Sequence, residues 1–388
     1  MSRNQIQGPQ GCTGEDRDGV LELMNSILRA GSNQNLAVDY PLVYREDNLN
    51  NNRIIKAGAD VVAVVPFIVW PVEHEGCRFR VGIISATGTH PDFRDRGLGL
   101  KCLQSCMQCM DQQGIELSVL WTMVPTFRFY NRGGYQAVQD QGCVFRLTRN
   151  QARWFRDHGE SVVAHDTPAP QLLHAMQRLR RAEPEGLHRD DDRAAVLHAL
   201  PKLTTHVALR NGEPVAYVVH SASSNKPGVV EAAGDEEALE TILNRILLDR
   251  VTEAAIRVFR PLSDNSLLRL LDRVCHSERE PCFEGTMFRL NDVTGFFRAI
   301  VPWLRRRHSG KAQSFSMTIA ESNETVSMDF TDGDVTIGDQ KREPHFNMSR
   351  LDLTSAVFGP HPCRPCDVPE PLSSLFPFHF PISILDRS

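Results

Sequence analysis

The segment Thr89–Leu103, THPDFRDRGLGLKCL, decides the fold. Two arginines, Arg94 and Arg96, precede a Gly-Leu-Gly turn, and the apolar residues after it recur at helical spacing. The N–H groups at the start of a helix are unpaired and lie at the positive end of its dipole, so they bind phosphate readily. Gly97 and Gly99 let the main chain approach a ligand because they lack a Cβ. The segment therefore predicts either a phosphate-binding turn or a plain strand-to-helix connection with solvated charges.

The surroundings of the turn favour the phosphate-binding interpretation. The turn is neither a P-loop, because no Gly-Lys-Ser/Thr closes it, nor a dinucleotide fingerprint, because the third glycine and the acidic ribose contact are missing. An apolar strand, RFRVGIISATGTH, leads into it, and a helix that Gly114 closes leaves it. A second strand, IELSVLWTMV, follows the helix. This order predicts a strand, basic turn, helix and strand in one sheet.

A second motif, FYNRGGY from Phe129 to Tyr135, lies about thirty residues downstream. With Arg94–Gly99 it resembles the [RQ]-x-x-G-x-[GA] turn and the FY-x-R-x-G-Y/F segment of the GNAT acyl-CoA-dependent N-acetyltransferases. The resemblance implies acetyl-CoA as co-substrate and a site in three parts. These are a strand that pairs with the pantetheine (Thr87, Gly88, Thr89), a pyrophosphate turn (Arg94, Asp95, Arg96, Gly97, Leu98, Gly99, Leu100) and the end of the next strand (Pro125, Thr126).

The plan of the whole chain resembles the enhanced-intracellular-survival (Eis-like) acetyltransferases. Helices and strands repeat loosely from 151 to 285 without a second Gly-rich turn, and MFRLNDVTGFFRAIVPWLRRR, from Met287, predicts an amphipathic helix capped by Asp292. The resemblance implies a mixed α+β fold. It places GNAT-like acyltransferase domains at 1–148 and 149–285 and a sterol-carrier-protein-like domain at 286–388. The aromatic, proline-containing tail is expected to return to the active site, and the chain to form a homo-oligomer, a hexamer in the family.

The resemblance also assigns catalytic roles. Tyr130 is expected to protonate the leaving thiolate, and the α-carboxylate of Ser388 to accept the proton of the amine. A phenol of pKa about 10 facing a thiol of about 8.5 is uphill by only roughly 2 kcal/mol. The family typically ends in an aromatic residue, whereas this chain ends Asp386-Arg387-Ser388, so Asp386 is an alternative base. His90, beside the turn, is a further candidate, although a histidine at a strand end is more often structural.

The composition of the chain limits the classes of partner that are expected. The 388 residues carry a net charge of −5, so no basic field attracts nucleic acid. The first residues lack the apolar core of a secretory signal, and the most apolar run, Val61–Val72, falls short of the ~20 residues that cross a bilayer. No membrane contact is expected.

Ten sparse cysteines suggest reduced thiols in the cytoplasm. Because Cys363 and Cys366 form a lone CxxC, no metal is expected.

Several charged stretches are interpreted as solvated. They are the hairpin turn at Glu73–Gly76 and the clusters Arg178/Arg180/Arg181 and Asp190–Asp192.

The predicted acceptor is an amine of a small cationic molecule, aminoglycoside-like or polyamine-like. Two alternatives stay open: acetylation of a protein lysine or N-terminus, and a lipid or ligand carrier whose acyltransferase domain is vestigial.

Overall fold

The computed structural model describes residues 5–32, 34–138, 142–184, 186–222, 228–249, 256–261 (backbone only), 265–282, 284–308, 310, 312–331, 333–359, 367–379 and 381–387. The chain divides into two compact units. The first comprises Met1–Gln139 with Glu284–His379, and the second Asp140–Phe283 with Phe380–Ser388.

The described strands, in chain order, are β1 (Ile6–Gly11), β2 (Asn52–Ala57), β3 (Asp60–His74), β4 (Cys77–Ile84), β5 (Gly88–Thr89), β6 (Leu117–Trp121), β7 (Gln136–Ala137), β8 (Gly142–Leu147), β9 (Ser161–His165), β10 (Leu203–Arg210), β11 (Glu213–Ser221), β12 (Gly228–Gly234), β13 (Ile256–Pro261), β14 (Arg279–Cys282), β15 (Thr286–Leu290), β16 (Gln313–Ile319), β17 (Glu324–Thr331), β18 (Asp334–Gly338) and β19 (His345–Met348). The α-helices are α1 (Arg17–Leu28), α2 (Leu36–Asp39), α3 (Leu98–Gln112), α4 (Phe127–Asn131), α5 (Pro170–Arg181), α6 (Asp191–His198), α7 (Glu236–Leu248), α8 (Ser266–Cys275), α9 (Val293–Ala299), α10 (Val301–Arg307), α11 (Arg350–Phe358) and α12 (Glu370–Ser373).

The first unit contains a sheet of order β1-β2-β3-β4-β6-β15-β7, with β5 paired to β3. Its parallel pair, β4 and β6, is connected by α3, as the strand, turn, helix and strand pattern predicts. The apolar stripe of α3 is buried, including Cys102, Leu103, Cys106 and Met110. At the predicted hairpin turn between β3 and β4, Glu75 and Gly76 adopt positive φ angles of 49° and 77°.

The strand β15 completes this first sheet from a distant part of the sequence. It pairs antiparallel with both β6 and β7, and Met287 is fully buried in the core beneath. The prediction that these residues begin a helix at the start of the third domain is wrong, because Thr286–Leu290 form a strand. The helices that follow are Val293–Ala299 and Val301–Arg307. Pro302 lies at the start of the second helix, where its missing N–H costs no hydrogen bond.

The rest of the first unit contains a second sheet, β18-β17-β16-β19, helices α9 to α12, and a cluster of aromatic side chains. Phe376 and Phe378 pack against Trp303, with ring centroids 5.4 and 5.1 Å away, and Phe378 N–H donates to Val357 O at 2.7 Å. The prediction that the apolar tail docks is therefore confirmed for these two residues. Whether the tail returns to the active site stays a prediction.

The second unit is built around a sheet of order β14-β8-β13-β12-β11-β10-β9. A parallel pair, β12 and β13, is connected by α7, and this helix buries its apolar face with α8 against the sheet. A turn at Asn211-Gly212, where both residues adopt positive φ angles, joins β10 and β11. The mixed α+β prediction with a loosely repeated order of elements is confirmed, while the domain limits 148 and 285 stay predictions.

Candidate active site

The strands on either side of α3 diverge where the candidate site begins. Pairing between β4 and β6 runs from Val81↔Leu117 to Ile83↔Val119. Beyond it the chain keeps its pairing with β3: Ser85 N–H donates to Pro66 O at 3.0 Å, and Gly88 and Thr89 also pair with β3. The end of β6 therefore has no strand partner on that side among the described residues, and a gap opens between the two strands. A Cβ on Gly88 would lie 2.5 Å from Met24 Sδ, so this approach favours glycine.

The basic turn is held by its own side chains. Arg94 Nε donates to Thr89 O at 3.3 Å, and Arg96 Nη2 donates to Asp92 O at 2.7 Å. The Arg96 guanidinium also lies over the Phe93 ring, 4.9 Å from its centroid. A guanidinium has five N–H donors, so one such bond leaves each arginine able to contact a phosphate.

The backbone of the turn presents amide groups to solvent. Asp95 and Gly97 adopt positive φ angles of 60° and 73°, and residues 94–97 are exposed. The helical ladder begins with Lys101 N–H donating to Gly97 O at 3.1 Å. The N–H groups of residues 98–100 therefore precede the ladder, as at any helix start. Leu98 is buried beneath the turn, and a Cβ on Gly99 would come within 3.1 Å of Thr89 Oγ1.

Tyr130, the predicted acid, lies in the short helix α4 and is 9% exposed. Its ring contacts Phe129 edge-on with centroids 4.9 Å apart. Burial raises the pKa of Tyr130 above its ordinary value, and a hydrogen bond with the Thr87 side chain partly opposes that rise. Thr87 follows β4 within the diverging segment. Thr87 and Tyr130, predicted from separate motifs as coenzyme contact and acid, are thus close enough for the Thr87 side chain to lower the pKa of the phenol.

Pro125 and Thr126 form a 3₁₀ turn with Val124 after β6. The Thr126 hydroxyl donates to Met123 O at 2.7 Å and lies 2.5 Å from the Thr122 hydroxyl. Met123 is 74% exposed, which is unusual for a large apolar side chain. This exposure could not be predicted from the sequence, because a single methionine at a strand end forms no recognisable pattern.

The three candidate bases differ in where they lie. Ser388 is outside the described residues. His90 Nδ1 accepts the Asp92 N–H at 3.3 Å, which is a structural capping role. Asp386 lies in the second unit, fully buried, where Arg189 Nε donates to Oδ1 at 2.5 Å and Arg180 Nη2 donates to Oδ2 at 3.0 Å. Both carboxylate oxygens of Asp386 therefore already accept hydrogen bonds from guanidinium groups, and the side chain does not face solvent.

The ion pairs of Asp386 correct the prediction that the whole arginine cluster Arg178/Arg180/Arg181 is solvated. Arg180, assigned with its neighbours to a solvated face, is buried, whereas Arg178 and Arg181 are exposed. The Asp190–Asp192 cluster is exposed, as predicted, and Asp190 caps α6.

The part of the chain that the structure describes carries neither a cluster of metal-binding side chains nor a membrane-spanning helix. Within it, no group of three or more His, Cys, Asp or Glu side chains could hold a metal ion. No described helix is both long and apolar enough to span a bilayer. Cys363 and Cys366 lie outside the described residues.

Comparisons with known proteins show a similarity to acetyltransferases. Residues 13–138 match the model of a family described as an acetyltransferase (GNAT) domain. Similar solved structures include a GCN5-related N-acetyltransferase from Anabaena variabilis (13% identity, TM-score 0.69) and Eis1 from Mycobacterium abscessus (14% identity, TM-score 0.59). Each comparison covers 91% of this chain and 89% of the other. No curated protein matches the chain in sequence.

The fold and the matched model define the class of protein: the chain carries a GNAT acetyltransferase domain and is an acyltransferase. GNAT domains take their acyl group from an acyl-CoA. Within this class, the predicted resemblance to the Eis-like acetyltransferases is confirmed at the level of the fold, because the similarity to Eis1 extends over nearly the whole chain and beyond the single GNAT domain.

Proposed function

We propose that the chain transfers acetyl from acetyl-CoA directly to an amine of a small, cationic acceptor of the aminoglycoside or polyamine kind. One observation carries the proposal: pairing between β4 and β6 ends at Ile83 and Val119, ahead of the exposed turn 94–97 and within the residues that match the acetyltransferase model. Tyr130, the predicted proton donor, follows β6 in α4, and the Thr87 side chain partly opposes the rise of its pKa. No covalent enzyme intermediate is needed, so none of the cysteines has to act as a nucleophile.

Acetyl-CoA would be held at two places along the same strand and helix. Main-chain groups of Thr87, Gly88 and Thr89 would pair with the pantetheine as an added strand does. The N–H groups at the start of α3 would bind the diphosphate, with Arg94 and Arg96 supplying charge-assisted hydrogen bonds. The exposure of residues 94–97 supports this assignment. Pro125 and Thr126 would border the coenzyme on the side of β6.

The reaction needs one acid and one base. The neutral amine attacks the thioester carbon, the C–S bond breaks, and Tyr130 gives its proton to the departing sulfur. The α-carboxylate of Ser388 would take the proton that the amine loses. A carboxylate of ordinary pKa about 3.5 is a weak base, so burial would have to raise its pKa. The ion pairs of Asp386 favour Ser388 over Asp386 for this role.

Free thiol released from acetyl-CoA, measured with a panel of amines, tests the proposal. The panel contains an aminoglycoside, a polyamine and a lysine peptide. We expect turnover with the small polycations, no turnover with the peptide, and a loss of at least about 100-fold in kcat for Tyr130→Phe. Tyr44→Phe is the matched control, since Tyr44 is also buried in the first unit but lies in another apolar cluster. Turnover with the peptide alone would favour a protein acetyltransferase. Acetyl-CoA that neither binds nor reacts would favour a carrier.

The family resemblance extends the proposal to the whole chain. It assigns residues 286–388 to a sterol-carrier-like domain and the assembly to a homo-oligomer, a hexamer in the family. The sparse cysteines favour a cytoplasmic location. Sedimentation of the full chain tests the assembly. A monomer at micromolar concentration would contradict it.

A further inference from the structure

The loop that carries Tyr130 is held at both of its ends by one strand, β15. On one side, β6 is paired with β15 as far as Trp121, and Thr122 N–H then donates to Gly285 O at 3.0 Å. On the other side β7, which follows the motif that ends in Tyr135, also pairs with β15. The short helix α4 lies between β6 and β7 in the chain. A strand from far along the sequence therefore fixes both ends of the loop.

Within this loop, two threonine hydroxyls form a chain of hydrogen bonds with a defined direction. Thr126 Oγ1 donates to Met123 O at 2.7 Å, and the hydroxyl oxygens of Thr122 and Thr126 lie 2.5 Å apart. A hydroxyl has only one proton. Because Thr126 gives its proton to Met123 O, Thr122 is the donor between the two hydroxyls. The chain thus runs from Thr122 through Thr126, the residue that precedes α4.

Gly285 limits where Thr122 can lie. It is buried and adopts a φ of 71°, which residues with a Cβ rarely adopt. A Cβ at this position would collide with Thr122 O, and it would lie 3.5 Å from the ring of Phe127, the first residue of α4. The end of β6 and the start of α4 therefore pack directly against the residue that precedes β15.

We propose that Thr122 is a positioning residue for Tyr130: its N–H, bound to Gly285 O, and its hydroxyl, bound to Thr126, together set where α4 begins and so where the phenol lies. The inference rests on the proposed function, in which Tyr130 is the acid. Thr122 adds no step to the reaction, since the proton still passes from Tyr130 to the departing sulfur.

The distance from Thr122 to the phenol is short enough for this effect. Tyr130 is the fourth residue of α4, about one helical turn from its start. A shift of the first residue of α4 therefore moves the phenol as well. A displacement of about 1 Å at a reacting group can cost on the order of 100-fold in rate. Loss of one hydrogen bond in the chain should cost less, about tenfold in kcat.

Two substitutions at Thr122 separate its hydroxyl from its shape. Thr122→Val keeps the volume and removes the donor to Thr126, while Thr122→Ser keeps the donor. We expect kcat to fall about tenfold in Thr122→Val and to stay near the wild-type value in Thr122→Ser. The Kd for acetyl-CoA, measured by calorimetry, should change less than about twofold, because the proposed pantetheine strand and the basic turn are unaltered.

A double-mutant cycle with Tyr130→Phe tests whether Thr122 acts through the phenol. In the Tyr130→Phe background no acid remains to be misplaced. Thr122→Val should then change the residual kcat by less than about twofold, although it costs about tenfold in the wild type. A role in stability alone would lower the Tm and leave kcat per folded molecule unchanged in both backgrounds.

Gly285→Ala disturbs the same contact from the side of β15 and serves as a second variant should Thr122→Val not fold. We expect it to lower kcat at least about tenfold, again without a change in the Kd for acetyl-CoA. Gly212→Ala is the matched control: Gly212 has a φ of 84° in a hairpin turn of the second unit, and a Cβ there would meet nothing within 4 Å. Its kcat should equal that of the wild type.

The outcomes distinguish this inference from the proposed function. If the wild-type chain releases no thiol with any amine, the proposed function fails and the role of Thr122 fails with it. If the wild type is active and Tyr130→Phe is not, but Thr122→Val keeps the wild-type kcat, the role of Thr122 alone is wrong. A Thr122→Ser variant as impaired as Thr122→Val also overturns it, because the hydroxyl would then not matter. An equal loss from Thr122→Val in both backgrounds overturns it too, because Thr122 would then act on another group.

Discussion

Arg189 donates through Nε to Asp386 Oδ1 at 2.5 Å, and both side chains are almost completely buried in the second unit. The far side of the same guanidinium binds the carboxylate of Glu231. Arg180 supplies the second positive charge, through Asp386 Oδ2 at 3.0 Å. The two positive charges of Arg180 and Arg189 thus balance the two negative charges of Asp386 and Glu231, and all four side chains are buried. The residues from Ser383 to Asp386 are fixed to the second unit by this network, since Ser383 Oγ also donates to Val230 O at 3.2 Å.

A double-mutant cycle tests how strongly this pair is coupled. Arg189→Leu and Asp386→Leu should each lower the free energy of unfolding by about 3–5 kcal/mol, because each leaves a buried charge unpaired. The double variant keeps Arg180 and Glu231 as a balanced pair, so it should lose clearly less than the sum of the two. Urea unfolding measures all three. The exposed pair Arg78–Glu73 is the control, with an expected coupling below about 1 kcal/mol. Additive losses at Arg189 and Asp386 would contradict the prediction.

His198 gives the second unit a pH dependence. Burial is the main cause that lowers the pKa of His198 to about 4. The imidazole is therefore neutral in the folded chain at a pH where the unfolded chain, with an ordinary pKa of about 6.5, becomes protonated. Stability contributed by the neutral form is complete above pH 6.5 and is lost as the pH falls toward 4. The loss should be on the order of 3 kcal/mol.

The variant His198→Phe isolates this group, because it keeps an aromatic ring beside Tyr217, 6.4 Å away between centroids. The charged neighbours in the network are Glu231, Arg180, Arg189 and Asp386. Burial lowers the pKa of His379 as well, so His379 also contributes to the pH dependence of stability. The contribution of His198 is therefore the difference between the wild type and the variant. We expect the difference in Tm between pH 7 and pH 5 to be smaller in the variant. An equal difference in both proteins would show that His198 does not titrate on unfolding.

The candidate active site was predicted from patterns that are local in sequence, whereas contacts between residues far apart in sequence could not be predicted. The basic turn, α3 and the hairpin turns depend on residues close in sequence, so glycine positions and apolar spacing were enough. Arg189 differs, because its burial depends on Glu231 and Asp386, which lie 42 and 197 positions further along. A charge with no partner nearby in sequence is normally assigned to the surface. The strand β15 was missed for the same reason, since its partners β6 and β7 precede it by a whole unit.

The two arginines of the basic turn should contribute to coenzyme affinity through the diphosphate. Arg94→Ala and Arg96→Ala should each weaken acetyl-CoA binding about 10- to 100-fold, the cost of losing a charge-assisted hydrogen bond. Added salt should weaken wild-type binding more than binding by the variants. Calorimetry at two salt concentrations measures both effects, and Arg78→Ala, at an exposed arginine of the first hairpin, is the control. Acetyl-pantetheine lacks the diphosphate, so its affinity should not change in the variants. An equal loss for acetyl-pantetheine would mean that the arginines act only on the shape of the turn.

The proposed base can be moved without changing any side chain. Adding three residues after Ser388 displaces the α-carboxylate by up to about 10 Å and leaves Asp386 in its network. We expect kcat to fall at least about 100-fold, the contribution typical of a general base, while the Kd for acetyl-CoA is unchanged. Asp386→Asn should instead lower the Tm, because it removes a charge from the buried network with Arg180 and Arg189. Thiol release and thermal unfolding, measured on both variants, separate the two carboxylates. An extended chain that keeps its full kcat would exclude the α-carboxylate and leave solvent or another group as the base.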